Sequence, residues 1–156
     1  MATVEVTFTP LPAHVRTARL VATAVARRSG VAEALLDEVR LAVGEACSRA
    51  VEAHRRHCPA EPVRIELSNL GERFEVAVID AAPPDTGGFA PSVSQQAASN
   101  GTGGDAAASG TAGPHTGGFP AGFGLAVISG LADDVRISST DGGLSVRMSW
   151  PAAVVV

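Results

Sequence analysis

Between Ala81 and about Pro120 the chain is almost wholly Gly, Ala, Ser, Thr and Pro, with Phe89, Val93 and Phe119 as its few large apolar anchors. Such a stretch buries too little apolar surface to offset the entropy of ordering it, so it builds no core of its own. It divides a chain of 156 residues, a length that fits one domain, into two flanks that must close a single core between them. A loop this long inside a compact domain is usually a functional lid or a linker. Strand patterns resume after it, so the sequence reads as one domain over 1–156 carrying a flexible, lid-like insertion over 82–120. Its middle part, 92–118, carries no decipherable code.

The flanks supply regular elements. Val4, Val6 and Phe8 alternate with Glu5 and Thr7, which predicts an opening strand ended by Pro10 and Pro12. A helix is expected from about Ala13 to Arg28, with Val15, Leu20 and Val25 among its buried positions, broken by Ser29-Gly30. A second helix is expected from near Val31 to about His57. Leu35, Val39, Ala42 or Val43, Ala46 and Ala50 give it one apolar face, and Pro59 and Pro62 bracket its exit. Val63, Ile65 and Leu67 alternate with Arg64 and Glu66. After the turn Asn69-Leu70-Gly71-Glu72, Phe74 to Ile79 reads as the returning strand of a hairpin.

Beyond the insertion, Gly122-Phe123-Gly124-Leu125 opens a third helix to about Leu131, packing Leu125, Val127 or Ile128, and Leu131. Val135–Ser138 and Leu144–Trp150 follow as strands around the turn Asp141-Gly142-Gly143. Helices gathered on one face of a mainly antiparallel sheet make a two-layer α+β sandwich.

Composition narrows the function. A net charge of −4 argues against a dedicated nucleic-acid binder, which carries a basic surplus. The local cluster His54-Arg55-Arg56-His57 reads as a solvated, dipole-favoured helix C-terminus. Cys47 and Cys58 form neither a disulfide framework nor a C-x-x-C pair. No leader-like segment and no apolar run of membrane-spanning length is visible, so the expected location is the cytoplasm. His54 and His57 lack a second ligand pair, and no metal cluster emerges.

Three short segments carry the chemistry. In Leu41–His54 the carboxylate Glu45 and the guanidinium Arg49 lie one helical turn apart. A carboxylate on a rigid helix is a suitable general base; the alternative is an i,i+4 ion pair with Arg49 that stabilises the helix by a few tenths of a kcal/mol. Asp80 ends the strand in Val78-Ile79-Asp80-Ala81-Ala82-Pro83-Pro84, where it could equally serve as a strand-ending turn residue. In Gly122-Phe123-Gly124-Leu125, backbone N–H groups at a helix start can hold phosphates; the plainer reading is a helix-opening turn.

Together, and in this element order, these segments resemble the GHKL ATPases of histidine kinase-like fold, and among them the bacterial anti-sigma factor serine/threonine kinases. The resemblance covers nearly the whole chain and implies the Bergerat-type ATPase fold. It makes Glu45 the base of the N box, Asp80 the adenine-reading aspartate of the first glycine box, and Gly122, Phe123, Gly124 and Leu125 the second glycine box around the phosphates. ATP is the implied cofactor. The implied partners are a sigma factor and/or an anti-sigma factor antagonist, with a homodimer as the usual assembly.

Departures concentrate in one pocket. The family places a magnesium-binding asparagine where this chain has Arg49, and arginine offers no acceptor to a metal, although its charge could touch phosphate directly. The glycines of the first box are replaced by Ala82 and Pro84, which restrict φ and, at proline, remove a donor. The sequence therefore favours impaired catalysis and a doubtful magnesium site. The alternative is a pseudokinase that neither binds nor hydrolyses ATP and acts by stoichiometric protein binding.

Overall fold

A computed structural model describes residues 2–83, 123–140 and 142–153, and for 123–126 it describes the backbone alone. From residue 84 on, the expected insertion lies outside the described residues, as does Gly122.

The sheet has five strands: β1 (Ala2–Phe8), β2 (Val63–Asn69), β3 (Arg73–Ile79), β4 (Asp134–Thr140) and β5 (Gly143–Pro151). They lie in the order β1-β2-β3-β5-β4, and every neighbouring pair is antiparallel. Period-two alternation sends Val63, Ile65 and Leu67, then Phe74, Val76 and Val78, then Val146, Met148 and Trp150 to one face. These residues are almost fully buried. Register stacks them, with Leu67 opposite Val76, Val76 opposite Met148, and Phe74 opposite Trp150. The expected α+β sandwich is therefore the observed architecture.

Three helices cover that face: α1 (Pro12–Arg28), α2 (Leu36–His57) and α3 (Phe123–Leu131). Pro12 opens α1, where its missing N–H costs nothing and its fixed φ already suits the helix. The α1 seam is Val15, Ala18, Ala22 and Ala26. Leu20 was expected among the buried positions but is 60% exposed, because two residues past Ala18 the helix has turned roughly 200° away. The second helix also starts later than Val31. Val31 is buried in the connection, Glu33–Leu35 form one 3₁₀ turn, and α2 begins at Leu36.

Between β2 and β3 the Asn69 side chain accepts the N–H of Gly71 at 3.0 Å, and Gly71 takes φ +86°, a left-handed value that suits glycine. The C-terminal end of α3 is fastened to the sheet by Trp150, whose Nε1–H donates to the Leu131 carbonyl at 3.1 Å. Among the described residues no helix is long and apolar enough to cross a membrane.

Candidate functional site

The α2 helix carries Glu45 and Arg49 one turn apart, both half-buried. They do not pair with each other. Arg49 instead reaches beyond the end of β3, where its Nη1–H donates to Asp80 Oδ2 at 2.9 Å. The alternative of an i,i+4 ion pair gives way because Asp80 offers a better partner. Its side chain is 2% exposed, and a buried carboxylate must be paired, whereas Glu45 retains access to water.

Asp80 has more than one donor. Its Oδ1 accepts the backbone N–H of Ala82 at 3.2 Å and that of Leu144 at 3.0 Å. Its own backbone N–H donates to the Leu144 carbonyl at 3.0 Å. The residue thus extends the β3–β5 ladder past its last register pair, Ile79 opposite Ser145. Both readings of Asp80 meet here: it ends the strand, and its carboxylate organises the segment that follows. A carboxylate offers about four lone-pair sites, and three are occupied.

Two further residues close around this segment. The Ala81 N–H donates to His54 Nε2 at 2.8 Å, while His54 Nδ1 bonds the Glu61 carbonyl at 2.9 Å. Accepting at one nitrogen and donating at the other fixes the neutral Nδ1–H tautomer. His54 is completely buried, so its expected place in a solvated helix end is wrong. It continues the apolar face of Ala46 and Ala50 at i+4 spacing, and that spacing was the signal in the sequence. Gly143 lies against the same segment. A Cβ there would sit 2.0 Å from the Asp80 carbonyl oxygen, so the expected turn glycine is also a packing requirement.

Glu45 has no hydrogen-bond or ion-pair partner among the described residues. The preceding Gly44 is crossed by Arg19, whose Nε would lie 2.5 Å from a Cβ at that position. Arg19 Nε is itself buried, with no hydrogen-bond partner among the described residues. Sequence reasoning singled out neither residue. Cys47, one turn past Gly44, is buried; this pushes its thiol up to about 12, and the nearby Arg19 charge only partly opposes the shift.

Of the second glycine motif, Phe123, Gly124 and Leu125 form the first turn of α3, which packs against α2. Gly122 lies outside the described residues.

Among the described residues, those at the metal and adenine positions do not fit the roles that the resemblance gives them. Arg49 has no lone pair to give a hard cation. Asp80 would have to accept from an adenine amino group while closed from solvent and already engaged by three donors. Ala82, itself buried, holds the carboxylate through its backbone N–H.

The chain matches the family described as the histidine kinase-like ATPase domain over residues 8–150. It is similar in fold to a crystal structure of the RsbU and RsbW domains of a Mycobacterium tuberculosis protein, with a TM-score of 0.59 and 16% identity. That alignment covers 100% of this chain and 35% of the other, so the chain spans about a third of the protein it matches. No curated protein matches it.

Proposed function

This chain belongs to the histidine kinase-like ATPase domain family, and on that premise we propose that it is an anti-sigma factor kinase-like regulator with impaired phosphoryl transfer. It acts in the cytoplasm, on a sigma factor or an anti-sigma factor antagonist, by binding it. The family match supports the fold on which such a regulator is built, and the motif resemblance supports the partner class. A homodimer is the assembly that the same resemblance implies.

One observation carries the catalytic part of the reading: Arg49 spends its charge on Asp80, 2.9 Å away and shut from solvent. The residue at the metal-ligand position and the residue at the base-reading position satisfy each other. Of the two readings of the pocket, this favours the pseudokinase, in which nucleotide is neither held nor turned over. Glu45 remains the best-placed base if any transfer persists, since its carboxylate is half-buried and unpaired among the described residues.

Calorimetric titration with ATP, with and without magnesium, tests this directly, followed by transfer of labelled phosphate to the cognate antagonist. Weak or absent binding is expected in both titrations. Micromolar, magnesium-dependent binding, or stoichiometric labelling of the antagonist, would sink the proposal. The triple variant Arg49→Asn, Ala82→Gly, Pro84→Gly should recover nucleotide binding where Arg49→Asn alone does not.

A further inference from the structure

On the side away from β1 the sheet ends at β4, whose only strand neighbour among the described residues is β5. Six of the seven β4 residues are exposed, among them Ile137 at 41%. The strand holds no proline and pairs with β5 without interruption from Asp134 to Thr140. None of its residues takes part in the site around Asp80.

The direction of its backbone groups follows from β5. Leu144 turns both its N–H and its C=O toward β3, where they meet the Asp80 carboxylate and the Asp80 amide at 3.0 Å each. Backbone direction alternates along an antiparallel strand. Ser145, Arg147 and Ser149 therefore turn theirs toward β4, onto Ser138, Arg136 and Asp134. This leaves Val135, Ile137 and Ser139 with N–H and C=O groups pointing outward. Such a half-ladder is a template for another strand unless charge or shape defends it. Arg136 stands opposite Arg147, but Arg147 is held by Glu75 at 2.7 Å and Arg136 by Asp134 at 3.3 Å. The charges of the strand cancel and leave its edge undefended.

We propose that β4 pairs antiparallel with β4 of a second copy of this chain, about a two-fold axis through Ile137, joining the two five-stranded sheets into one. This rests on the homodimer reading above and supplies its interface. Ile137 is both the middle of β4 and one of its outward-facing residues, so this register alone aligns all seven positions. Each charge of one copy then faces a hydroxyl of the other: Asp134 against Thr140, and Arg136 against Ser138. Val135 faces Ser139. No like charges stand directly opposite, the arrangement that destabilises strand pairs. The two Arg136 side chains are diagonal neighbours, roughly 7–8 Å apart, and each keeps its own Asp134. The exposed Ile137 side chains cover each other beside Val146, which is buried on the same face of β5. A strand of unrelated sequence would need this same pattern of charge, hydroxyl and apolar residue, and a second copy already carries it.

The full chain, sedimented over a range of concentrations, should be a dimer at micromolar concentration. Ile137→Lys should weaken dimerisation by about tenfold or more and leave the circular dichroism spectrum unchanged, since the side chain it replaces is exposed. Cross-linking locates the axis independently. In a Cys58→Ala background, oxidised Ile137→Cys should give a covalent dimer, because this position meets itself across the axis within disulfide reach. Ser139→Cys should not, because its two copies lie about 13 Å apart along the strands. A monomeric parent overturns both this interface and the homodimer reading. A dimer that Ile137→Lys leaves intact, or one that Ser139→Cys cross-links as fully as Ile137→Cys, overturns the interface alone. None of these outcomes depends on nucleotide.

Discussion

The backbone N–H of Ala81 donates to His54 Nε2 across 2.8 Å, joining the end of α2 to the segment that leaves β3. Because Nδ1 of the same ring holds the Glu61 carbonyl at 2.9 Å, one neutral side chain fastens three parts of the chain. The position of Asp80 is thus set from both sides: by its own carboxylate and by the residue after it.

Replacing His54 with leucine keeps most of the buried volume but leaves a donor and an acceptor unpaired. A hydrogen bond contributes about 0.5–1.5 kcal/mol net, and Ala81 and Glu61 are both exposed to water, so His54→Leu should lower stability by roughly 1–3 kcal/mol in urea unfolding. The Ala81 amide should also lose its protection from hydrogen exchange. An unchanged unfolding midpoint would show that the bridge contributes nothing.

Arg49→Ala strips one charged partner from a carboxylate that keeps its two backbone donors. A hydrogen bond to a charged group contributes about 1.5–3 kcal/mol. The loss should fall in the lower half of that range, since the Arg49 side chain is 22% exposed and water screens the pair. A double-mutant cycle with Asp80→Ala reads the coupling directly. Additive effects would mean that the two residues act independently.

Adjacent glycines should respond in opposite ways to alanine. Among the described residues, a Cβ at Gly142 meets nothing within 4 Å, whereas at Gly143 it lies 2.0 Å from the backbone oxygen of Asp80. Gly142→Ala is expected to stay within about 0.5 kcal/mol of the parent. Gly143→Ala should cost about 1–3 kcal/mol or more through forced backbone shifts. Thermal unfolding of both variants decides it, and equal midpoints would contradict the close approach.

The chain has two cysteines, both free thiols: Cys47 is buried and Cys58 partly exposed. Burial raises both thiols, Cys47 to about 12; Cys58 is raised further by the charges of Glu61 and Asp80. A chromogenic disulfide at pH 8 should therefore modify Cys58 slowly and Cys47 only after unfolding in guanidinium. The folded state holds the Cys47 proton up to about pH 12, while the unfolded thiol ionises near 9.0. This contribution to stability is complete below pH 9 and is lost as pH rises toward 12, by up to about 1.4 kcal/mol per pH unit. Cys47→Ala should remove that slope.

The sandwich was legible because alternation in Val63–Leu67 and Phe74–Ile79 and helical spacing along α2 are local signals, each repeated several times. Leu20 was misplaced because one apolar residue does not define a face, and the alanines at 18, 22 and 26 that form the seam have little hydrophobic contrast with their neighbours. At the site, residue types were readable but pairings were not. Glu45 and Arg49 are four apart, so a local pair stood beside the general-base reading as an alternative. Asp80 is 31 residues from Arg49, a contact that only the folded sheet creates. His54 was hidden by its basic neighbours Arg55 and Arg56, although its spacing from Ala50 marked the buried face.

The bond between Arg49 and Asp80 also bears on the paths open to this sequence under mutation. Changing Arg49 first leaves a buried carboxylate without its charged partner, and changing Asp80 first strips three donors of their acceptor. Either single step loses stability before any ligand can compensate. The pair is thereby hard to undo one residue at a time. The pocket is therefore held against single substitutions at either position, and only a paired change could spare its stability.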